Sequence, residues 1–490
     1  SSIMNTLRSH SARHLLNLVR TLPCLLLTCS LSGCFQITPS VVPQAQAVAP
    51  PDSTIRSRDT TTPDTTAPDT LRPDAPSATP KNQTDDRGTE RTRSNIRNVS
   101  VPTSENVAWP NWMGPDHNGI SQQTGWSTRW PSGGLPIAWS KQIGIGFSSV
   151  AIAEGRLFTM GHTAGQESIY CLKTKNGETV WSFSYASPLV DNLHDGGPGA
   201  TPTLDGEFVY TLGRGGQLYC LRAETGKVVW SRMLQEDLDV ELPEWGFTSS
   251  PLILDNQVVL EAGRVVSYDK LTGRKNWQTK RHAAGYGTPA LLESGGQPLL
   301  ATLDCDGLRI IRSSDGKEVD FQSWKSPFLT NSTTPIVQGD KVFISTGYNV
   351  GCGLFRFSGS ALELVYSNRE MRNHFNNCIL LDGHLYGFDG NSNLGRVVQL
   401  TCMNFATGEV LWKKRGLGCG SLMVANGKLV LLSDKGDLVI AKATPKSYQE
   451  LCRSRFLSGR CWTMPVLLNG FVYGRSARGQ LTCLRLPLEQ

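Results

Sequence analysis

The sequence predicts an all-β fold, an eight-bladed β-propeller of four-stranded antiparallel blades that is closed by an N-terminal strand completing the last blade. Three observations predict it. Short apolar runs recur, two-residue turn signals separate them, and a Gly followed four residues later by Trp returns at one place in several units. The intervals between turns lack helical periodicity, which favours strands. The 49 Gly and 27 Pro also suit a chain rich in turns.

Turn signals set the number of blades. Asn-Gly and Asp-Gly supply the positive φ angles that a tight hairpin requires. From Gly339 onward the turns follow at spacings of 44, 44 and 43 residues, close to the length of one propeller blade. Seven blades are the alternative if the fourth or fifth unit is misassigned. The eight turn signals are Glu154-Gly155, Asp205-Gly206, Asp255-Asn256, Glu293 to Gly296, Gly339-Asp340, Asp382-Gly383, Asn426-Gly427 and Asn469-Gly470.

One unit shows the expected strand order. Residues 200–204 (ATPTL) turn into FVYTL, a second turn leads to QLYCL, and Thr225-Gly226 leads to KVVW. Gly226 is expected in the left-handed conformation, and Trp230 is expected to cover the gap to the adjacent sheet. The tryptophans assigned this structural role are Trp139, Trp181, Trp230, Trp277 and Trp412.

The last unit has one strand too few. Residues 462–486 supply only three strands, whereas residues 135–139 end in Trp139 and have the pattern of an outermost strand. Pairing the two would remove two open sheet edges. Before that strand, residues 109–121 (WPNWMGPDHNGIS) are expected to pack Trp109 and Trp112 across one face of the propeller.

The N-terminal residues have the layout of an export signal. Arg8, Arg13 and Arg20 precede an apolar run at 22–31 that is too short to span a bilayer, and LSGC follows at 31–34. That tetrapeptide resembles the bacterial lipobox, which implies lipidation at Cys34. Residues 34–105 are rich in Pro, Thr and Asp and predict a disordered tether. The predicted domains are therefore a lipoprotein signal peptide (1–33), the tether (34–105) and the propeller (106–490).

Charge argues against a nucleic-acid partner. The formal net charge is +6, but three of the 48 basic residues lie in the signal, which leaves 45 against 42 acidic residues. This nearly neutral balance lacks the basic excess that is typical of nucleic-acid-binding proteins.

The folded part is expected to be a monomer that meets the membrane only through its lipid anchor.

Residues 220–230 (CLRAETGKVVW) resemble the tryptophan-docking motif of the pyrroloquinoline quinone (PQQ) repeat family. The resemblance extends from about residue 109 to the end. It departs in unit four, where Asp320 stands at the Trp position, and in unit five, which has Gly359 and Tyr366. Unit seven lacks both the Gly and the Trp.

The resemblance implies two contrasting functions. Quinoprotein alcohol dehydrogenases hold PQQ and Ca²⁺ on the propeller axis, with a disulfide between adjacent cysteines against the quinone. BamB-type outer-membrane assembly lipoproteins bind other proteins through loops on one face. No two cysteines are adjacent here, and there is no haem-attachment or zinc motif. Cys171, Cys220 and Cys483 share one strand position and are expected to be buried, whereas Cys452 and Cys461 could pair.

Candidate binding residues lie on the loops that enter the innermost strands, the longest being 187–202, 234–251 and 280–289. His194 and Asp195 form either an acid–base pair or a hydrogen-bonded loop corner. Trp245, Phe247 and Tyr286 form either an aromatic rim for a ligand or interblade packing. The candidates for ligand or partner binding are His194, Asp195, Trp245, Phe247, His282, Tyr286, His374 and Arg415.

We therefore expect an exported, non-catalytic propeller, lipid-anchored at the periplasmic face of the outer membrane, that binds an envelope protein or peptide. Neither a catalytic residue nor a metal or other cofactor is expected. A PQQ-dependent alcohol or sugar dehydrogenase with an atypical site is the alternative, and it would need PQQ with Ca²⁺. Sensing of a polysaccharide or small molecule is a third possibility.

Overall fold

A computed structural model describes residues 108–489, so the predicted signal peptide, Cys34 and the whole of the predicted tether lie outside the described residues. Eight antiparallel sheets of four strands form the eight blades, as predicted, and one blade carries an additional short strand. No helix within 108–489 is long and apolar enough to cross a membrane.

Blades 1 to 4 follow one another along the chain, each running from its innermost to its outermost strand. Their strands are β3 (Ala151–Ala153), β4 (Arg156–Thr163), β5 (Gln166–Lys173) and β6 (Thr179–Ala186); β7 (Thr203–Asp205), β8 (Phe208–Leu212), β9 (Gln217–Arg222) and β10 (Val228–Met233); β11 (Leu252–Leu254), β12 (Gln257–Glu261), β13 (Val265–Asp269) and β14 (Lys275–Gln278); β15 (Ala290–Ser294), β16 (Gln297–Leu303), β17 (Gly307–Arg312) and β18 (Glu318–Ser323). A short helix, α1 (Leu234–Leu238), follows β10.

Blades 5 to 8 continue the order, and the two earliest strands of the chain, β1 (Ile120–Ser121) and β2 (Ile137–Gln142), join blades 7 and 8. The remaining strands are β19 (Ile336–Gln338), β20 (Lys341–Thr346), β21 (Gly351–Phe357) and β22 (Leu362–Asn368); β23 (Ile379–Leu381), β24 (His384–Asp389), β25 (Gln399–Asn404) and β26 (Val410–Arg415); β27 (Ser421–Ala425), β28 (Lys428–Leu432), β29 (Asp437–Lys442) and β30 (Glu450–Arg455); β31 (Val466–Leu468), β32 (Phe471–Arg475) and β33 (Gln480–Arg485). A 3₁₀ segment spans Ser392–Val397.

The ring closes through β2, which confirms the predicted N-terminal closure. β2 pairs antiparallel with β33, and Trp139 lies opposite Cys483. Because β2 supplies the outermost strand of blade 8, the first and last parts of the propeller are held in one sheet, and the ring has no open blade there.

The repeated tryptophans join neighbouring blades. Each donates its indole N–H to a backbone carbonyl of the next blade, as Trp230 does to Lys270 at 3.0 Å. Gly226 has φ +73°, and a Cβ added to it would lie 2.6 Å from the ring of Trp181, so only glycine leaves room for the indole. The other indole–carbonyl pairs are Trp139–Thr174, Trp181–Ala223, Trp277–Ser313 and Trp412–Thr444.

Units four and five, two of the three units that depart from the repeat, keep an interblade hydrogen bond through a different side chain. Tyr366 donates its hydroxyl to the carbonyl of Phe405 at 2.9 Å. Asp320 instead accepts a hydrogen bond from the backbone N–H of Leu362 at 2.6 Å. In units four and five the position therefore still joins neighbouring blades without a tryptophan.

A second belt of hydrogen bonds surrounds the central channel. A buried Ser, Thr or Asn lies two residues before six of the innermost strands, and the backbone N–H of five of these residues donates to the side-chain oxygen of the equivalent residue in the next blade. Five consecutive bonds of 2.9 to 3.2 Å follow this rule. They run in order through Ser149, Thr201, Ser250, Thr288, Thr334 and Asn377.

Residues 109–121 pack against the innermost strands at their hairpin end. Trp109 and Ile152 exchange backbone hydrogen bonds of 2.8 and 2.7 Å, and Trp112 donates to the hydroxyl of Thr334 at 3.2 Å. β1 runs parallel to β27, the innermost strand of blade 7. The segment thus places Trp109 and Trp112 against the innermost strands, at the end of the propeller where those strands turn.

The ten cysteines within 108–489 are all free thiols, so the expected pairing of Cys452 with Cys461 is wrong. Cys452 lies on β30 opposite Ile440, whereas Cys461 is buried in the following loop. Cys171, Cys220 and Cys483 are fully buried at equivalent strand positions, each opposite an aromatic residue, as predicted.

Candidate functional site

One end of the propeller carries the longest loops, and we call it the loop face. It consists of the connections from each outermost strand to the next innermost strand, together with the turns between second and third strands. The connection after β10 contains α1, whose Leu234 and Leu238 are buried. The opposite end carries short hairpin turns, so the loop face offers the more varied surface.

Aromatic rings form a continuous row across the loop face, which we call the aromatic band. Six successive ring contacts have centroid distances of 4.5 to 5.6 Å. Every member keeps some solvent exposure. In order along the row, the band consists of His194, Phe147, Trp462, Phe375, His374, Tyr348 and Phe328.

The centre of the band lies over the mouth of the channel. Phe147 stacks on Trp462 at 5.6 Å, and Trp462 contacts Phe375 at 4.5 Å. Phe147 and Phe375 each precede a residue of the hydrogen-bonded belt by two positions. Because these rings come from the loops before blades 1, 8 and 6, their contact bridges the inner rim.

His194 and Asp195 bind different neighbours. His194 accepts a hydrogen bond at Nδ1 from the backbone N–H of Gly196 at 2.9 Å. Burial, and then the charges of Arg214 and Arg460, lower the pKa of His194. Asp195 accepts from Arg460 at 2.6 Å. The local geometry matches the hydrogen-bonded loop corner, since neither side chain contacts the other.

A groove of about 990 Å³ opens beside this corner. Its walls combine exposed Leu189 and Leu193 with the charged groups of Asp191, Asp195, Arg460 and Arg478. The remaining lining residues are Gln142 at the end of β2, Gly144 and Ile145 before blade 1, His162, Thr163, Ala164 and Gly165 at the turn between β4 and β5, and His194 in the loop before blade 2.

The three aromatic residues predicted to share a rim have different environments. The rings of Trp245 and Tyr286 are 5.7 Å apart, and Tyr286 is 9% exposed. Phe247 is 1% exposed and belongs to the apolar cluster of Leu234 and Leu238, so its assignment to a binding rim is wrong. The reason is that Phe247 packs in this cluster with Leu234 and Leu238 of α1 instead of facing solvent.

His282 belongs to a buried ionic network. Its Nε2 lies 2.8 Å from Glu261, and Asp304 of the same network accepts from Arg309 at 2.5 Å. Burial by itself would lower the pKa of His282, but the carboxylates of Glu261 and Asp304 outweigh burial and raise it. With its side chain only 2% exposed, His282 does not reach the mouth of the channel.

His374 lies within the aromatic band, whereas Arg415 does not. Nδ1 of His374 accepts from the backbone N–H of Ser392 at 3.2 Å, which leaves Nε2 to donate to the hydroxyl of Tyr348 at 3.1 Å. Burial lowers the pKa of His374 to about 4, so the ring is neutral at pH 7. Arg415 is exposed at the end of β26, an outermost strand, and lies away from the inner rim.

Exposed apolar side chains gather at the tips of the loop face. Leu193 is 71% exposed, and Phe328 and Leu329 are about half exposed. These side chains give the loop face its exposed apolar surface. The exposed set on this face consists of Leu189, Leu193, Leu242, Phe328, Leu329, Leu394 and Val397.

Sequence comparison places the chain in a family. A family profile described as outer membrane protein assembly factor BamB matches residues 165–414, just over half of the 490 residues. This chain belongs to that PQQ-like propeller family. No curated protein sequence matches the chain.

Solved structures show the fold that this BamB-type family member shares. Quinohemoprotein alcohol dehydrogenase from Comamonas testosteroni has a TM-score of 0.59 at 11% identity, over 81% of this chain and 82% of that chain. The enzyme ADHIIG from Pseudomonas putida HK5 has 0.55 at 11%, over 79% and 81%. The computationally designed Ika8 protein has 0.52 at 12%, over 71% and 99%. Identities this low establish the fold alone.

Three features of this family member differ from those that the resemblance to quinoprotein dehydrogenases implies for a site holding PQQ with Ca²⁺. Phe147, Phe375 and Trp462 occupy the inner rim on the loop side, where an axial cofactor would need open space. Within residues 108–489, no three His, Cys, Asp or Glu side chains are grouped to hold an ion. The chain also has no adjacent cysteines to stack on a quinone.

Proposed function

We propose that this chain is a non-catalytic, lipid-anchored binding module of the cell envelope, which engages another protein through its loop face during outer membrane protein assembly. The observation that carries the proposal is the set of exposed apolar side chains on that face, from Leu193 to Phe328. Membership of a family described as outer membrane protein assembly factor BamB supports the assembly role.

The loop face combines features that suit protein binding. Its tips offer apolar contacts, and its loops carry charges of both signs, such as Asp191 and Arg478 beside the groove. A hydrophobic centre with a polar periphery is the usual composition of a protein interface. The closed ring of blades holds these loops in fixed positions, which reduces the ordering cost of binding.

Site-specific photo-crosslinking in cells tests the proposal. A photoreactive residue at Leu193 or Phe328 should give a discrete adduct with another envelope protein. The matched control is Leu271, which is 49% exposed in a hairpin turn at the opposite end of the propeller. Adducts of equal yield from Leu193 and Leu271, or from neither loop-face position, would contradict binding through the loop face.

A further inference from the structure

We propose that a buried histidine cation fastens the loop of residues 280–288 to blades 3 and 4, and that loss of its proton at alkaline pH releases this loop. The cation is His282, and its partners are the buried carboxylates of Glu261 and Asp304. Such a device acts within the propeller itself and does not require the proposed protein partner.

Both ring nitrogens of His282 face oxygen atoms that accept hydrogen bonds. Nδ1 lies 3.2 Å from the backbone carbonyl of Lys280, and Nε2 lies 2.8 Å from Oε2 of Glu261. Oε1 of the same carboxylate accepts the backbone N–H groups of Gly263 and Gly285 at 2.9 and 3.2 Å, and such bonds favour an ionised carboxylate. A ring that donates at both nitrogens is an imidazolium, so this geometry requires a positive charge on His282.

The charges of the network balance only while His282 keeps its proton. The side chains of Glu261 and Asp304 are fully buried, and Arg309 supplies the second cation by donating to Asp304 at 2.5 Å. Arg309 also pairs with the half-exposed carboxylate of Glu318. A neutral His282 would therefore leave two buried carboxylates beside one shared guanidinium, which is costly because burial removes the water that would otherwise solvate them.

The remaining charged side chains beside the loop are bound to other partners. These are Asp306 with Lys325 at 3.7 Å, Arg281 with Glu241 at 3.4 Å, and Arg264 with the backbone carbonyls of Leu238 and Thr279 at 2.8 Å. Among residues 108–489, the carboxylates that face the ring of His282 are those of Glu261 and Asp304, at 2.8 and 3.8 Å.

The pKa of His282 sets the pH at which the loop is released. Burial opposes the charge on the ring, but the carboxylates of Glu261 and Asp304 outweigh burial and raise this pKa above 6.5. Burial also raises the pKa of Asp304 to about 6, so its carboxylate is ionised at pH 7. The stabilisation by His282 is complete below its unfolded pKa of about 6.5 and is lost as pH rises through the higher folded pKa. Release therefore occurs on the alkaline side of neutrality.

The fastened loop carries residues that join blades on the loop face. The ring of Tyr286 lies 5.7 Å from that of Trp245, and its backbone carbonyl accepts from the hydroxyl of Thr248 at 2.7 Å. Thr288 belongs to the belt around the channel and donates to Thr334 at 3.2 Å. Release of residues 280–288 would therefore loosen the contact between Tyr286 and Trp245 and change this part of the loop face.

Nuclear magnetic resonance of the full chain labelled with ¹⁵N-histidine measures the protonation of His282. The substitution His282→Gln assigns the signal by its loss, and His384→Gln, at the start of β24 in blade 6, is the matched control. We expect both ring nitrogens of His282 to be protonated at pH 7, with a titration midpoint above 6.5. A His282 ring that is neutral at pH 7 would overturn the proposal.

Hydrogen–deuterium exchange with mass spectrometry measures release of the loop, once rates are corrected for the intrinsic effect of pH. Between pH 7 and pH 9 we expect residues 280–288 to exchange at least about tenfold faster. Residues 187–202 are the internal control, because the pKa of His194 is lowered and its ring stays neutral in this range. His282→Gln should exchange rapidly at residues 280–288 already at pH 7, whereas His384→Gln should match the unaltered chain.

Two exchange results would overturn the proposal. One is protection of residues 280–288 that stays constant with pH in the unaltered chain, and the other is a rise with pH that persists in His282→Gln. If His282→Gln does not fold, the unaltered chain still decides. Release must then follow the titration of His282, and midpoints that differ by more than about one pH unit would contradict a device operated by this histidine.

Discussion

Arg460 donates to the carboxylate of Asp195 at 2.6 Å and thereby ties the loop before blade 8 to the loop before blade 2. The same guanidinium lies over the ring of Trp462 at 4.5 Å. Asp195 follows His194, which forms one end of the aromatic band. The ion pair therefore links the wall of the groove to the centre of the band.

Removing the charge of Asp195 should loosen this part of the loop face. We expect Asp195→Asn to lower the free energy of unfolding by about 1 kcal/mol, because the pair is partly exposed and screened by solvent. Urea unfolding at low and high salt measures it, and the loss should shrink at high salt. Asp191→Asn, at an exposed position nearby, is the control, and an equal loss there would contradict a specific role for the pair.

Gly226→Ala should destabilise the propeller more than Gly206→Ala does. Both glycines are left-handed, with φ +73° and +55°, so both variants bear a backbone cost of about 1 kcal/mol. Only at Gly226 would the new Cβ also lie too close to an indole ring, at 2.6 Å from the nearest carbon of Trp181. We expect an additional loss of about 1–3 kcal/mol there, measured by urea unfolding. Equal losses would show that Trp181 moves aside freely.

His374 should make stability depend on pH. Its pKa is about 4 in the folded chain and about 6.5 when unfolded, so the unfolded chain binds the proton first. The stability contributed by neutral His374 is present above pH 6.5 and is lost as pH falls toward 4. The loss should be on the order of 3 kcal/mol.

The measurement is the difference in unfolding free energy between the unaltered chain and His374→Gln at pH 7, 5.5 and 4. The difference should change in favour of the variant as pH falls. A difference that stays constant with pH would show that His374 is protonated equally well in both states.

Cys34 should be required for membrane attachment. Its thiol follows Leu31-Ser32-Gly33, the segment that resembles a lipobox, and acylation there would anchor the chain. Cys34→Ser should move the protein from the membrane fraction to the soluble envelope fraction, followed by immunoblotting. Cys29→Ser, inside the predicted signal, should leave fractionation unchanged. Membrane attachment that survives Cys34→Ser would contradict the lipid anchor.

The fold could be predicted because its determinants are local. Asp205-Gly206 and Asn426-Gly427 specify hairpins within a few residues, and the Gly-to-Trp spacing repeats in several units. The closing strand was predictable from Trp139, which has the repeat's outermost position. Asp320 was recognisable as a departure from the repeated tryptophan. Its hydrogen bond from the backbone N–H of Leu362 joins two blades, and no local sequence pattern specifies how the next blade is placed.

The candidate site was harder to predict because its contacts join distant parts of the chain. Phe147 and Trp462 are 315 residues apart in sequence and stack only because the ring closes between blades 8 and 1. His194 and His374 were singled out on their loops, but their aromatic neighbours were not. A usable signal existed, since Phe147, Phe375 and Trp462 all occupy equivalent places just before an innermost strand.

Quinone titration separates a binding module from a dehydrogenase most directly. The full chain is titrated with PQQ in the presence and absence of Ca²⁺ while tryptophan fluorescence is followed, and alcohol-dependent dye reduction is then assayed. A PQQ-dependent dehydrogenase serves as the positive control. Because Phe147, Phe375 and Trp462 fill the inner rim, we expect neither saturable quenching nor dye reduction. Saturable Ca²⁺-dependent quenching with turnover would contradict the proposed function.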